Sequence, residues 1–278
     1  MNALELKNVN KAFPEFQLKN LSFTLPSGCI MGLIGENGAG KSTTIRLILN
    51  MLHMDSGQIT ILGRDNGDNI VSLKEEIGVV TEGTGLPSCL TARQVGKVMK
   101  HSFRNWDEAE YTRLLEKFSI PDRKQIRWFS HGMWMKLKIA IAMSHGAKLL
   151  LLDEPTGGLD PVAREEVVEM FYDFTRDEHH SILISSHIVS DLEKLCDYVA
   201  FLHKGELLLC EEKDRLLSQY GIVHCTAEQV SSLHSVQYKK ETPYGLEVIL
   251  PREAVPEEFH ISPINIEELF LLMIKEAK

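Results

Sequence analysis

Nine consecutive residues, Gly35-Glu36-Asn37-Gly38-Ala39-Gly40-Lys41-Ser42-Thr43, fit the pattern GxxxxGK[ST] between a buried-strand run and a helix-forming run. Glycines at this spacing let backbone N–H groups converge on phosphate oxygens, and the helix start adds its dipole. Lys41 is expected to reach the β- and γ-phosphates of a nucleotide, and the Ser42 hydroxyl to bind Mg²⁺. Further along stands Leu149-Leu150-Leu151-Leu152-Asp153-Glu154-Pro155, an apolar run delivering two adjacent carboxylates. Alone it reads as a strand-end turn. Beside a phosphate loop, Asp153 is placed to hold Mg²⁺ through water, and Glu154 to orient and deprotonate an attacking water. The third element is Ser185-Ser186-His187, where the imidazole is placed to hydrogen-bond a γ-phosphate or the same water. In isolation, a histidine in such a loop is a solvated surface residue.

These residues need strands ending at one edge. The continuous apolar runs 29–34, 77–81, 149–152 and 181–185 suit fully buried strands, and the helical stretches 41–52, 161–175 and 188–196 alternate with them. Alternation in 4–9 and 21–25 reads as half-buried antiparallel strands, with 57–62 a further strand and 198–209 a hairpin turning at Lys204-Gly205. The stretch 86–147 carries helical spacing and no convincing strand, and Asp107 followed by Glu110 resembles a capping box. The fold class is therefore α/β, with a mainly parallel sheet, an antiparallel subdomain and an inserted helical subdomain. A smaller extension follows, ending in an amphipathic helix over 266–275, and no motif in it carries chemistry.

Composition narrows the classes. The chain has 278 residues, 44% hydrophobic and 25% charged, as in an ordered globular protein of one large domain with an appendage. A formal net charge of −9 argues against nucleic acid as the main partner. Cys29, Cys89, Cys196, Cys210 and Cys225 are scattered, and read as buried thiols in a reducing compartment. Neither cysteines nor histidines show zinc-type spacing. The N-terminus lacks the basic and apolar regions of a secretory signal, and no apolar run has the roughly 18 residues needed to cross a bilayer.

The set GENGAGKST, LLLLDEP, TGGLDP and SSH, in that order and spacing, resembles the nucleotide-binding domain of the ABC transporter superfamily, a P-loop NTPase fold. The resemblance covers residues 1–212, with 86–147 as the helical subdomain and 213–278 as the C-terminal extension. It implies ATP and Mg²⁺ as cofactors. Gly35, Asn37, Gly38, Ala39, Gly40, Lys41, Ser42 and Thr43 would form the ATP cradle. Lys41, Glu154 and His187 would be catalytic, with Ser42 and Asp153 at the metal. In this family two such domains sandwich two ATP molecules head to tail. Phe13 corresponds to the aromatic that stacks on adenine, unless it is a core phenylalanine. Gly158-Leu159-Asp160 would form the D-loop, which crosses the interface, while Asp160 also fits the N-cap of the next helix.

Two positions depart from the family pattern. Phe129-Ser130-His131-Gly132-Met133 stands where the family has its LSGGQ signature. Ser130 and Gly132 can still offer a hydroxyl and a backbone N–H to the ATP of the opposite chain, whereas His131 replaces a glycine. Glu82 stands where the family usually has a glutamine that senses Mg²⁺ or the attacking water; its carboxylate can likewise accept from that water or bind Mg²⁺, while adding negative charge near the triphosphate.

The implied partners are integral-membrane permease subunits and a second ATPase chain, identical or paralogous. The implied location is the inner face of the cell membrane, reached through the permease, and resemblance to export-type subunits favours export. The alternatives are a soluble ABC ATPase acting on ribosomes or DNA, and a weakly hydrolysing regulatory module. A single P-loop and the absence of sustained heptads argue against the first, and the retained Glu154 and His187 against the second.

Overall fold

The computed structural model describes residues 2–67, 70–81, 85–226, 228–236, 238–243 and 245–276. The chain opens with β1 (Asn2–Ala12) and β2 (Gln17–Pro26), paired antiparallel with Leu6 opposite Phe23 and Leu4 opposite Leu25. Next come β3 (Ile30–Ile34), α1 (Lys41–Ile48), β4 (Ser56–Ile61), β5 (Arg64–Asp65), α2 (Ile70–Lys74) and β6 (Ile77–Val80). The first sheet has the order β2-β1-β4-β5. Its alternating residues Leu4, Leu6, Leu21, Phe23 and Leu25 are buried, as a one-sided antiparallel sheet requires.

The inserted segment contributes α3 (Ala92–Ser102), α4 (Glu108–Lys117) and α5 (His131–Met143). After it run β7 (Leu149–Asp153), α6 (Pro161–Phe174), β8 (Ser181–Ser186), α7 (Val189–Leu195), β9 (Tyr198–His203) and β10 (Glu206–Glu212). The second sheet, of six strands, has the order β10-β9-β3-β8-β7-β6. It is parallel except for the β9–β10 hairpin. Every residue of β3, β7 and β8 is buried, which explains why their runs are continuously apolar rather than alternating. Met31, Leu33, Leu149, Leu151 and Leu183 face the first sheet and α1. Ile30, Ile34, Leu150, Leu152, Ile182 and Ile184 face the other core, shared with α5, α6 and α7.

Three details differ from the sequence expectations. The first helix stops at Ile48 rather than reaching residue 52, because Leu49 caps it and Asn50 turns left-handed (φ 51°). Asp107 does cap α4 through Glu110 N, but the Glu110 carboxylate turns to Arg113 at 2.6 Å; the reciprocal capping box is Thr91 with Gln94, at the start of α3. Cys89 is exposed, unlike Cys196 and Cys225, which are buried.

The C-terminal segment forms α8 (Lys213–Gln219), β11 (Tyr220–Cys225), β12 (Tyr238–Thr242), β13 (Gly245–Pro251), β14 (Ile261–Ser262) and α9 (Ile266–Glu276). Its antiparallel sheet has the order β12-β13-β11-β14. Ile222 and Ile249 join the core that holds Leu269 and Phe270 of α9, and Phe270 meets Phe201 of β9 edge-on at 5.2 Å. Val223, Val248 and Leu250 face the opposite way, into a small cluster with Val230 and Leu233.

Candidate active site

Strand register brings the chemistry together. Ile34 pairs with Ser186 and Asp153 with Ser185, so β3, β8 and β7 end side by side. The residues that follow, Gly35, His187 and Glu154, therefore emerge at one edge, where open parallel sheets bind ligands. Lys41 Nζ folds back to donate to Gly35 O (2.8 Å) and Glu36 O (3.3 Å) and lies 3.5 Å from Glu154 Oε1. The N-cap of α1 is Gly40, and no side chain caps the helix, so its first amides face an anion site. Gly40 itself is obligatory. Its φ is 112°, and a Cβ there would come within 2.7 Å of Leu18 and 2.9 Å of Phe16.

Ser185, which is fully buried, holds the side chain of Asp153 and the backbone of Glu154. Its hydroxyl donates to Asp153 Oδ1 at 2.6 Å and accepts from Glu154 N at 3.2 Å. Ser42 Oγ donates to the same Asp153 oxygen at 3.1 Å. Glu154 adopts φ 51°, a left-handed conformation costly for a non-glycine residue; its amide is fixed by the carbonyl of Ser185 at 3.1 Å as well as by the hydroxyl. Its Oε2 accepts from His187 Nδ1 (2.7 Å) and from the His187 amide (3.3 Å). Because a carboxylate oxygen accepts here, Nδ1 carries the proton, and Nε2 of the exposed ring is left outward.

A cavity of about 500 Å³ runs along the loop, lined by Glu15, Phe16, Asn37, Lys41, Ser42 and Glu154 among others. Gly38 and Thr43 line it too, while Ala39 is buried and its carbonyl accepts from Gly205 N. The aromatic at this cavity is Phe16, which sequence reasoning passed over. Phe13 is 38% exposed, its ring centroid 6.2 Å from that of Phe16, with the Lys11 ammonium 5.8 Å from its own centroid. The signal was the pair of aromatics flanking Pro14-Glu15, and only the packing of Phe16 on Gly40 distinguishes them. Ser185 was noticed as part of a motif, but its hydrogen bonds depend on strand pairing that a sequence does not print.

The signature segment lies at the N-terminus of α5. Ser130 is the N-cap, its Oγ accepting from Met133 N at 3.2 Å, and the hydroxyl proton stays available to donate. Gly132 packs against Leu159 of the D-loop. Asp160 caps α6 through Ala163 N (2.9 Å). A second cavity, of about 660 Å³, is lined by Asn37, His131, Trp134, Lys138, Glu154, Gly158 and His187 among others. It joins this corner to the sheet edge. Glu82 lies outside the described residues; its neighbour Thr81 accepts from Lys138 Nζ of α5 at 2.8 Å.

A phosphate loop, two strand-end carboxylates and a histidine at one edge of a parallel sheet, with an inserted helical unit, define a nucleoside-triphosphatase of the cassette type. The chain belongs to the ABC transporter family, whose profile matches residues 18–157. It is 29% identical to the ABC transporter ATP-binding protein YhcH of Bacillus subtilis, over 99% of this chain and 97% of that one. It is 35% identical to the lantibiotic transport ATP-binding protein SrtF of Streptococcus pyogenes, over 76% of this chain and 91% of that one. A solved ATP-binding subunit of an ABC transporter matches with a TM-score of 0.71 at 29% identity, covering 78% of this chain and 92% of the other. The protein is an ATP-binding subunit of an ABC transporter, and an ATPase. Subunits of this family dimerise and work with membrane permease subunits.

Proposed function

We propose that residues 1–212 form the nucleotide-binding domain, with 86–147 as its helical subdomain and 213–278 as an extension, and that two such chains sandwich ATP head to tail. The observation that carries the reading is the convergence of Lys41, Asp153, Glu154 and His187 at the strand ends. The loop 35–43 wraps the triphosphate, Lys41 neutralises its terminal oxygens, and Glu154 takes a proton from the attacking water. His187 holds Glu154 through Nδ1, which leaves Nε2 to accept a hydrogen bond from the attacking water. The hydroxyl of Ser42 and the carboxylate of Asp153 are hard oxygen donors 3.1 Å apart, a set that suits Mg²⁺. When bound, that ion would neutralise charge building on the phosphates. Phe13 and Phe16 flank the adenine position, and Ser130, Gly132 and Asp160 complete the partner's site.

Among the described residues no helix is long and apolar enough to cross a membrane, so attachment to the inner membrane face runs through permease subunits. The likeness to a lantibiotic transport subunit supports export of a peptide, drug or lipid-like compound. The test is Mg²⁺-ATP hydrolysis by the purified chain over a wide range of protein concentration, alongside Glu154→Gln. Specific activity should rise with concentration, and the variant should lose at least about a hundredfold in kcat. Hydrolysis that is unchanged in Glu154→Gln would remove the assigned base.

A further inference from the structure

We propose that His131, the residue standing in the glycine position of the signature, is a positioning residue. It ties the signature to the D-loop of its own chain, and so couples ATP held across the dimer interface to Glu154. The inference rests on the sandwich reading above and adds a route between its two sites.

The geometry is local and specific. His131 Nε2 lies 2.9 Å from Gly157 O, and since a carbonyl can only accept, Nε2 carries the proton and donates. The ring also lies over Gly158, where a Cβ would come within 3.2 Å of His131 Cδ2; with φ at 69°, that position takes glycine on both counts. The residue that receives His131 also holds the catalytic turn. Gly157 N donates to Glu154 O at 3.2 Å, while Glu154 N is fixed to Ser185. Gly157 is therefore a bridge, with its carbonyl bound to the signature and its amide to the base.

Ser130, one residue before His131, presents its hydroxyl to the ATP lodged in the partner's loop. Any displacement of the α5 N-terminus as that ATP engages passes through the His131–Gly157 bond into the turn that aims Glu154 at this chain's own ATP. With glycine at position 131 this hydrogen bond between the two segments would be absent. Such a link, being contiguous and hydrogen-bonded, is the kind that carries a coupling free energy between two sites.

The experiment is steady-state Mg²⁺-ATP hydrolysis by the full chain at a protein concentration that saturates the dimer, read as kcat, half-saturation and Hill coefficient. The wild type should give a Hill coefficient of about 1.5 or more, below the two-site ceiling. His131→Leu, which keeps bulk but removes the donor, should bring it to about 1 and lower kcat roughly tenfold, with half-saturation little changed. His131→Gln, whose amide N–H can reach the same carbonyl, should recover most of both. His131 is exposed, and equal unfolding midpoints for the three proteins check that folding is intact. A Leu variant as cooperative as the wild type, a Gln variant no better than Leu, or a wild-type Hill coefficient of 1 would each overturn the coupling role. All three leave the site reading standing so long as hydrolysis still depends on Glu154; loss of that dependence in the wild type would overturn both.

Discussion

In the proposed sandwich the sheet edge and the signature corner both face nucleotide, yet they are built on opposite plans. At the edge, Lys41 and Asp153 are each only 6% exposed and Ser185 is fully buried, and backbone register between neighbouring strands sets their spacing. At the corner, Ser130 and His131 are exposed, held by one cap and one imidazole bond at the tip of an inserted helical unit. The difference separates two jobs. Groups that must meet the reacting phosphate within tenths of an ångström are fixed by a rigid sheet. Groups proposed to complete another chain's site stand exposed at the N-terminus of α5, ahead of the buried residues Met135, Leu137 and Ile139 that anchor that helix in the core.

The largest effect that sharpens this contrast is expected at Ser185. Ser185→Ala removes the hydroxyl that donates to Asp153 and accepts from Glu154 N, both inside the core. Asp153 Oδ1 keeps Ser42 and Glu154 N keeps the Ser185 carbonyl, so the loss is about that of one hydrogen bond to a charged group, roughly 1.5–3 kcal/mol. We expect a fall in kcat of roughly tenfold together with a lower urea midpoint. A variant that loses stability but hydrolyses ATP at the wild-type rate would show that the edge tolerates slack, and the contrast with the corner would fail.

The two plans also account for what could be read from the sequence. The edge was legible because phosphate chemistry dictates residue types at strand ends, and strands buried on both faces announce themselves as apolar runs. The corner was legible only as a departure. His131 stands out in FSHGM, but its partner Gly157 lies 26 residues on, and only folding brings them within 2.9 Å. The second aromatic was hidden for a related reason, since packing on Gly40 and not residue type sets Phe16 apart from Phe13. The first helix was extended to residue 52 because the apolar spacing continues past Asn50, whose left-handed backbone no periodicity reveals. In the C-terminal segment β11 and β13 bury residues on both faces, which blurs the alternation that would mark them as strands in the sequence. The period of α9 predicted a helix but not its destination against Phe201.

A smaller effect is expected at the corner itself. Ser130→Ala removes the N-cap bond to Met133 N, worth about 1 kcal/mol in a typical helix. In a chain of this size that is a fall of about 2–4 °C in Tm, readable by calorimetry. The loss should concentrate in the inserted helices, as faster amide exchange along α5 with no change in β7 or β8. Equal exchange changes at the sheet edge would mean that the two regions are one cooperative unit, contrary to the comparison.

The smallest effect concerns the root of the insert, where the corner is anchored to the body. His145 is buried there, its ring stacked on Phe103 with centroids 4.1 Å apart and its Nδ1 donating to Glu75 O at 3.1 Å. Burial pushes its pKa below the ordinary value of 6.5, against the weaker opposing pull of the Glu75 carbonyl and carboxylate. The folded chain therefore binds this proton less readily than the unfolded one. The stability contributed by the neutral ring is complete above about pH 6.5 and drains away as pH falls through the lower folded value. Urea midpoints followed downward from neutral pH should drop more steeply in the wild type than in His145→Phe, which keeps the stack but cannot titrate. That variant should start slightly lower at neutral pH, having lost the bond to Glu75. Parallel curves would mean that the proton enters without disturbing the anchor, and that the insert's mobility begins elsewhere than at its root.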